Sequence, residues 1–145
     1  MLDKIDIKII TLLAKNGRAT LSEVAKAINL SISPCQARIK KLEENNYILG
    51  YHAQINFHKL EKAHIAFVQV SLSNTKAKAL EEFNTEVSKL NDVEQCHMIA
   101  GAFDYLLKVR TSDIKSYRLF LSEKISSLPH VASTSTFVSM QSIKE

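Results

Sequence analysis

The chain has 145 residues, 46% hydrophobic and 23% charged, with only three Gly and two Pro, a composition that excludes collagenous, low-complexity and broadly disordered proteins. Its formal charge of +4 leans toward polyanions, and residues 1–50 hold eight Lys/Arg against five Asp/Glu while residues 51–145 hold eleven against ten. Cys35 and Cys96 form no C-x-x-C pair, no apolar run approaches the roughly 20 residues of a membrane span, and Leu2-Asp3-Lys4-Ile5-Asp6 is unlike a signal peptide. A disulfide framework and a membrane partner are therefore not expected, and the expected location is cytoplasmic, at the nucleoid if the basic excess serves DNA.

Taken in chain order, the first elements are short helices. Ile5, Ile9, Leu12 and Leu13 recur on one helical face, with Asp3 and Asp6 in the first turn, where carboxylates favour the positive end of the helix dipole. Gly17 offers that helix a C-terminal cap. Thr20-Leu21-Ser22-Glu23 reads as a capping box opening a second helix with Leu21, Val24, Ala25 and Ile28 on its inner side. Asn29, which tolerates a left-handed backbone, ends it after about two turns. A third helix is expected to start near Ser31 or Ser33, with Pro34 acceptable in its first turn. Cys35, Ile39 and Leu42 share one side, Gln36, Ala37, Lys40, Lys41 and Glu44 lie roughly opposite, and Arg38 sits on the flank. Helix, short capped helix, tight turn and outward-basic helix is the plan of a helix-turn-helix unit.

From Tyr47 the period changes. Ile48 to Ile55 is expected to be a strand, followed by a polar connection to Lys62. The remaining pattern reads as strand (65–72), helix (76–90), strand (93–100), a turn at Gly101 to Asp104, strand (105–110), helix (113–127) and strand (131–140). The order β-α-β-β-α-β is that of a ferredoxin-like split motif. Ser88 to Val93 echoes Ser126 to Val131, each at a helix-to-strand junction. The expected class is thus α+β: a three-helix, winged-helix-like helix-turn-helix domain over residues 1–50, a strand and linker over 51–62, and a ferredoxin-like domain over 63–145.

No catalytic constellation emerges. His52, His58, His64, His97 and His130 are scattered without metal-ligand spacing. Cys96 and His97 are strand neighbours that point to opposite faces, so they cannot act as nucleophile and base. Glu43-Glu44 and Glu81-Glu82 read as solvated helix surface. No cofactor or metal is expected. Nucleic-acid contact is better served. Ser31, Ser33, Gln36 and Ala37, near the start of the third helix, suit base edges: Gln can bond adenine bidentately and Ala can touch a thymine methyl. Arg18, Arg38, Lys40 and Lys41 suit phosphates of double-stranded DNA.

The run Ser33-Pro34-Cys35-Gln36-Ala37-Arg38-Ile39-Lys40-Lys41-Leu42-Glu43-Glu44-Asn45-Asn46-Tyr47-Ile48-Leu49-Gly50-Tyr51 resembles the third-helix signature of the Lrp/AsnC ("feast/famine") transcription regulators. Leu2 to Asp6, Asn16-Gly17-Arg18, Glu23-Val24-Ala25, Glu94-Gln95-Cys96-His97, Gly101-Ala102-Phe103-Asp104-Tyr105 and Leu128-Pro129-His130-Val131 with Thr134-Ser135-Thr136 fit the same family. The resemblance implies a DNA-binding head and an effector domain that dimerises through its sheets, the homodimers assembling into octamers. It also implies an amino-acid effector held near Gly101, Ala102, Phe103, Asp104 and Tyr105, with hydroxyls from Thr134, Ser135 and Thr136. Two positions depart from the family pattern. Ala102 stands where a polar residue is frequent, which leaves the effector open, and Asn46 stands where Gly is common. The layout alone also leaves open a siroheme-decarboxylase-like enzyme or a low-specificity architectural DNA-coating protein.

Overall fold

A computed structural model describes residues 2–144. The chain divides between Ile55 and Asn56 into two compact units. The first holds three helices, α1 (Lys4–Lys15), α2 (Leu21–Ala27) and α3 (Ile32–Glu44). Their apolar stripes meet in one core of Ile9, Leu13, Val24, Ala25, Ile28, Cys35 and Leu42, with Ile5, Leu12, Leu21 and Ile39 packed around it.

Local chemistry sets most helix ends. Asp3 caps α1, its Oδ1 accepting from the backbone N–H of Ile5 and Asp6, both at 2.8 Å, while Asp6 Oδ2 accepts from the Asp3 N–H at 3.1 Å. This is a reciprocal capping box built from two aspartates. Thr20 and Glu23 make the expected box on α2. Asn29 and Asn46 adopt left-handed backbone, φ 57° and 58°, and so end α2 and α3 with the local polar side chain that tolerates it. Gly17 does not supply a left-handed cap, since no described glycine has positive φ. Instead α1 ends at Asn16, whose N–H reaches the Leu12 carbonyl and whose Oδ1 accepts from the Arg18 N–H at 3.0 Å.

The expected strand over residues 48–55 is absent. A strand needs a neighbour for its backbone groups, and none pairs with this segment among the described residues. It is tied to the helices by side chains: Ile48 packs on the first core, and the Tyr51 hydroxyl donates to Glu43 Oε1 at 2.8 Å.

The second unit is a four-stranded sheet in the order β2-β3-β1-β4, with β1 (His64–Leu72), β2 (Val93–Met98), β3 (Tyr105–Thr111) and β4 (Val131–Val138). All neighbours are antiparallel, the arrangement expected of the split motif. Helices α4 (Ala77–Val87) and α5 (Ile114–Phe120) complete the β-α-β-β-α-β order. The expected helix over 113–127 is shorter than its pattern, because α5 passes into a π-helical turn at Leu121–Ile125. Tyr117, Leu121 and Ile125 nonetheless reach the core. That core joins Ala66, Val68, Val70, Leu107 and Val109 of the sheet to Phe83, Val87, Tyr117, Ile125 and Leu128. Pleating sends Phe67, Gln69, Leu106, Lys108 and Arg110 to the other side. There Arg110 is buried in an ion pair with Glu94, its guanidinium 4.1 Å above the Phe57 ring. Further along that side, Phe67 and its cross-strand partner Phe137 stay exposed.

Candidate functional site

The outward side of α3 carries Ser33, Gln36, Ala37, Lys40 and Lys41, all exposed and spaced i, i+3, i+4, i+7, i+8. Cys35 and Leu42 are buried on the opposite side, so turning the helix over would expose its apolar stripe. Ser31 is the N-cap residue, yet its hydroxyl makes no capping bond. Lys40 pairs loosely with Glu44 at 3.7 Å, and both side chains are largely solvated, so the Lys40 charge remains open to a stronger anion. Arg18 is exposed and, with Lys15, His52 and Gln54, lines an open hollow of about 660 Å³ in the first unit. Sequence reasoning missed Ile32. It lies in the first turn of α3, 50% exposed, where an aliphatic side chain can meet a thymine methyl. Its signal was its place beside Ser33, inside the run already assigned to DNA.

Arg38 is engaged elsewhere. Its Nη1 donates to Asp3 Oδ2 at 2.6 Å and to Asp6 Oδ1 at 2.7 Å. The phosphate role expected for Arg38 is therefore withdrawn, because the guanidinium already has two carboxylate partners. The hydrogen bond from the Asp6 N–H and the Arg38 guanidinium together hold the Asp3 carboxyl below the ordinary aspartate value.

In the second unit, the turn between β2 and β3 brings Gly101, Ala102, Phe103 and Asp104 together at the surface. Asp104 is fixed by the fold: its Oδ2 accepts from the Leu72 N–H at 2.7 Å, its own N–H donates to the Val70 carbonyl, and its carbonyl accepts from Ile99. Tyr105 does not face the turn. It is 2% exposed, its ring lies 4.4 Å from that of Phe83, and its hydroxyl donates to Asn84 Oδ1 at 2.8 Å. It is a core residue, and its side chain is withdrawn as an effector contact.

The three β4 hydroxyls do not converge either. Thr134 and Thr136 pair with Val70 and Val68 on the helix-covered side, whereas Ser135 pairs with Gln69 on the other. Thr136 hydrogen-bonds the Tyr117 hydroxyl and opens onto a cavity of about 620 Å³. The Tyr117 ring, Leu121 and the exposed Ile114 give this cavity its apolar lining, and Lys115 and Arg118 its cations. An apolar lining, one hydroxyl pair and two cations suit a small carboxylate with an aliphatic body. Sequence reasoning missed Ile114, Lys115 and Arg118 as lining residues, since only their approach to β4 in space reveals the cavity.

A compact helical head presenting a polar and basic helix, followed by a small sheet domain with an amphipathic cavity, defines a one-component regulator: a DNA-binding unit joined to a ligand-binding unit. Comparisons with known proteins agree. Residues 65–145 match the family described as the Lrp/AsnC ligand binding domain, and residues 2–48 match a winged helix-turn-helix DNA-binding family. The chain is 59% identical over 144 residues to the proline dehydrogenase transcriptional activator of Rhizobium radiobacter, covering 99% of this chain and 92% of that protein. It is 40% identical to the leucine-responsive regulatory protein of Escherichia coli K12, covering 99% and 88%. A crystal structure of a transcriptional regulator of Neisseria meningitidis in complex with L-methionine superposes with a TM-score of 0.92 at 32% identity, covering 100% of this chain and 94% of that one. The chain belongs to the Lrp/AsnC family of DNA-binding transcriptional regulators.

Proposed function

We propose that this regulator reads specific base sequences through Ser31, Ile32, Ser33, Gln36 and Ala37 while Arg18, Lys40 and Lys41 neutralise phosphates, and that an amino acid or related small metabolite modulates it. The observation that carries the reading is the side of α3 left uncovered by the core, where short polar residues precede two lysines. One such helix reads only a few base pairs. A second copy, joined through the exposed Phe67–Phe137 side of the sheet, doubles the site and allows a pseudo-palindrome to be read. Assembly beyond the homodimer, up to an octamer, and action at the nucleoid follow from the same family resemblance.

The effector reading rests on the cavity lined by Lys115, Arg118 and Thr136. The turn at Gly101 to Asp104 does not line that cavity and is a second candidate carried by the family resemblance alone. The Neisseria relative bound to L-methionine supports an amino-acid ligand. Two relatives, 59% and 45% identical, are named proline dehydrogenase transcriptional activators, which makes L-proline the first amino acid to try. The ligand acts only through a difference in affinity between two states of the assembly.

The test is the double variant Lys40→Ala/Lys41→Ala, titrated against a duplex that the wild-type chain selects from a random pool. Each lost phosphate contact lowers the slope of log K against log salt by about 0.9, so a slope about 1.8 shallower per DNA head is expected. An unchanged slope would show that this side of α3 does not lie along the phosphate backbone.

A further inference from the structure

The shortest ion pair among the described residues of the first unit joins the DNA-facing helix to the start of α1, and it lies beside the proposed contact surface. One nitrogen of Arg38 bonds two carboxylates, at 2.6 and 2.7 Å. Both acceptors are also held by backbone groups of α1's first turn. Asp3 is held by two backbone N–H groups at 2.8 Å, and Asp6 by the N–H of Asp3. Little acceptor freedom is therefore lost when the guanidinium docks, unlike an ordinary surface pair between two mobile side chains.

α3 is otherwise anchored by Cys35, Ile39 and Leu42, packed among apolar neighbours of the first core, and at its last turn by the Tyr51 hydroxyl on Glu43. That hydroxyl reaches α3 from a segment outside any helix or strand, and Glu43 lies five residues beyond Arg38. Apolar contacts are non-directional and resist small rotations of a helix weakly. A charge-assisted hydrogen bond to two fixed oxygens is directional. Arg38 also lies one residue after Ala37 and three before Lys41, so a roll of α3 at Arg38 moves the base-facing and phosphate-facing side chains together. Base contacts require heavy-atom distances of about 2.7–3.2 Å, and a shift of about 1 Å loses them.

Resting on the DNA-binding reading above, we infer that Arg38 is a positioning residue for DNA recognition: with Asp3 and Asp6 it sets the roll of α3, and it makes no phosphate contact of its own. This predicts an effect opposite in sign to simple electrostatics. Replacing Asp3 by Asn keeps the N-cap, because Asn is as good there as Asp, and in Asp6→Asn the amide oxygen is retained as an acceptor for the backbone N–H of residue 3. Together the two changes make the first unit more positive by two charges, which by charge alone tightens binding to DNA.

The test uses the full chain as Asp3→Asn/Asp6→Asn and as Arg38→Met, with fluorescence anisotropy across a salt series on the wild-type-selected duplex and on a scrambled duplex. Circular dichroism melting checks the fold. The expected result is affinity for the selected duplex about tenfold weaker in both variants, within the range of one or two lost base contacts. The salt slope stays that of the wild type and binding to the scrambled duplex is not weakened, so the specificity ratio falls. Tighter binding by the Asn variant, affinity unchanged in either variant, or a slope about 0.9 shallower in Arg38→Met would overturn the assignment, the last marking Arg38 as a phosphate contact. Should Arg38→Met fail to fold, the direction of the affinity change in the Asn variant decides; should the Asn variant fail to fold, the affinity and slope of Arg38→Met decide. If the wild-type chain selects no duplex, the DNA reading itself fails and takes this inference with it; selection by the wild type with unaffected variants overturns only the role of Arg38.

Discussion

Replacing Phe67 and Phe137 by Asp separates the fold of the second unit from its self-association. The two rings are cross-strand partners on the side of the sheet that α4 and α5 leave uncovered, and they are 36% and 56% exposed. A buried aromatic side chain covers roughly 200 Å², so the pair leaves about 180 Å² of apolar surface in water on each chain. Covering both pairs in a homodimer removes about 360 Å² from water, worth about 9 kcal/mol at ~25 cal/mol/Å² before the entropy of association is subtracted. Phe67→Asp/Phe137→Asp forfeits that term and brings carboxylates together across the twofold axis. Losing even half of it weakens association by about a thousandfold. Light scattering coupled to size exclusion, run at a chain concentration above the wild-type dissociation constant but well below about a thousand times it, is expected to give a single-chain mass for the variant and a multiple of it for the wild type. Far-ultraviolet circular dichroism is expected to be unchanged, because neither ring belongs to the core. A variant that keeps the wild-type mass would refute the assignment of this side of the sheet as the interface.

Two further outcomes follow from the ligand cavity and from the helix caps. Arg118→Ala/Lys115→Ala is expected to abolish the thermal stabilisation given by the responding amino acid, L-proline being tried first; in the wild type a ligand at a hundredfold excess over Kd contributes about 2.7 kcal/mol, and an undiminished shift in the variant would place the ligand elsewhere. Asp3, Glu23 and Asp113 are held below their ordinary values of 3.8, 4.5 and 3.8 chiefly by backbone N–H groups at helix starts, and Glu82 below 4.5 chiefly by its hydrogen bond with His130. A depressed carboxyl pKa means that the folded chain binds the proton more weakly than the unfolded chain, so this stability is complete above the ordinary values and is lost as pH falls through and below them. The urea midpoint is accordingly expected to fall below about pH 4.5, and a midpoint that rises on acidification would contradict the assignment.

Much of the first unit is legible locally. The Thr20–Glu23 box, the left-handed Asn29 and the Cys35–Ile39–Leu42 stripe each depend on residues no more than one or two turns apart, and the structure shows all of them. The strand order of the second unit is similarly readable, because the order of elements and the need to cover one side of the sheet leave few topologies. What sequence missed depends on distance or on pleating. The partners of Arg38 lie 35 and 32 residues away, and nothing local distinguishes an arginine aimed at a carboxylate from one aimed at a phosphate. Strand alternation was enough to separate Ser135 from Thr134 and Thr136, and reading the three as one cluster overlooked it. Tyr105 carries a polar tip in a turn motif, yet Asn84, 21 residues away, satisfies that tip inside the core. The segment over 48–55 alternates like a strand, but among the described residues no strand pairs with it.

Base reading by the outward side of α3 is tested most directly by repeating the random-pool selection with Gln36→Ala. The account predicts a recovered motif that keeps its overall length and most of its positions but loses preference at one or two base pairs in each half-site, the reach of a single side chain in the major groove. A motif identical to that of the wild type would contradict the account, since Gln36 is exposed beside Ser33, Ala37 and Lys40 on the outward side of α3.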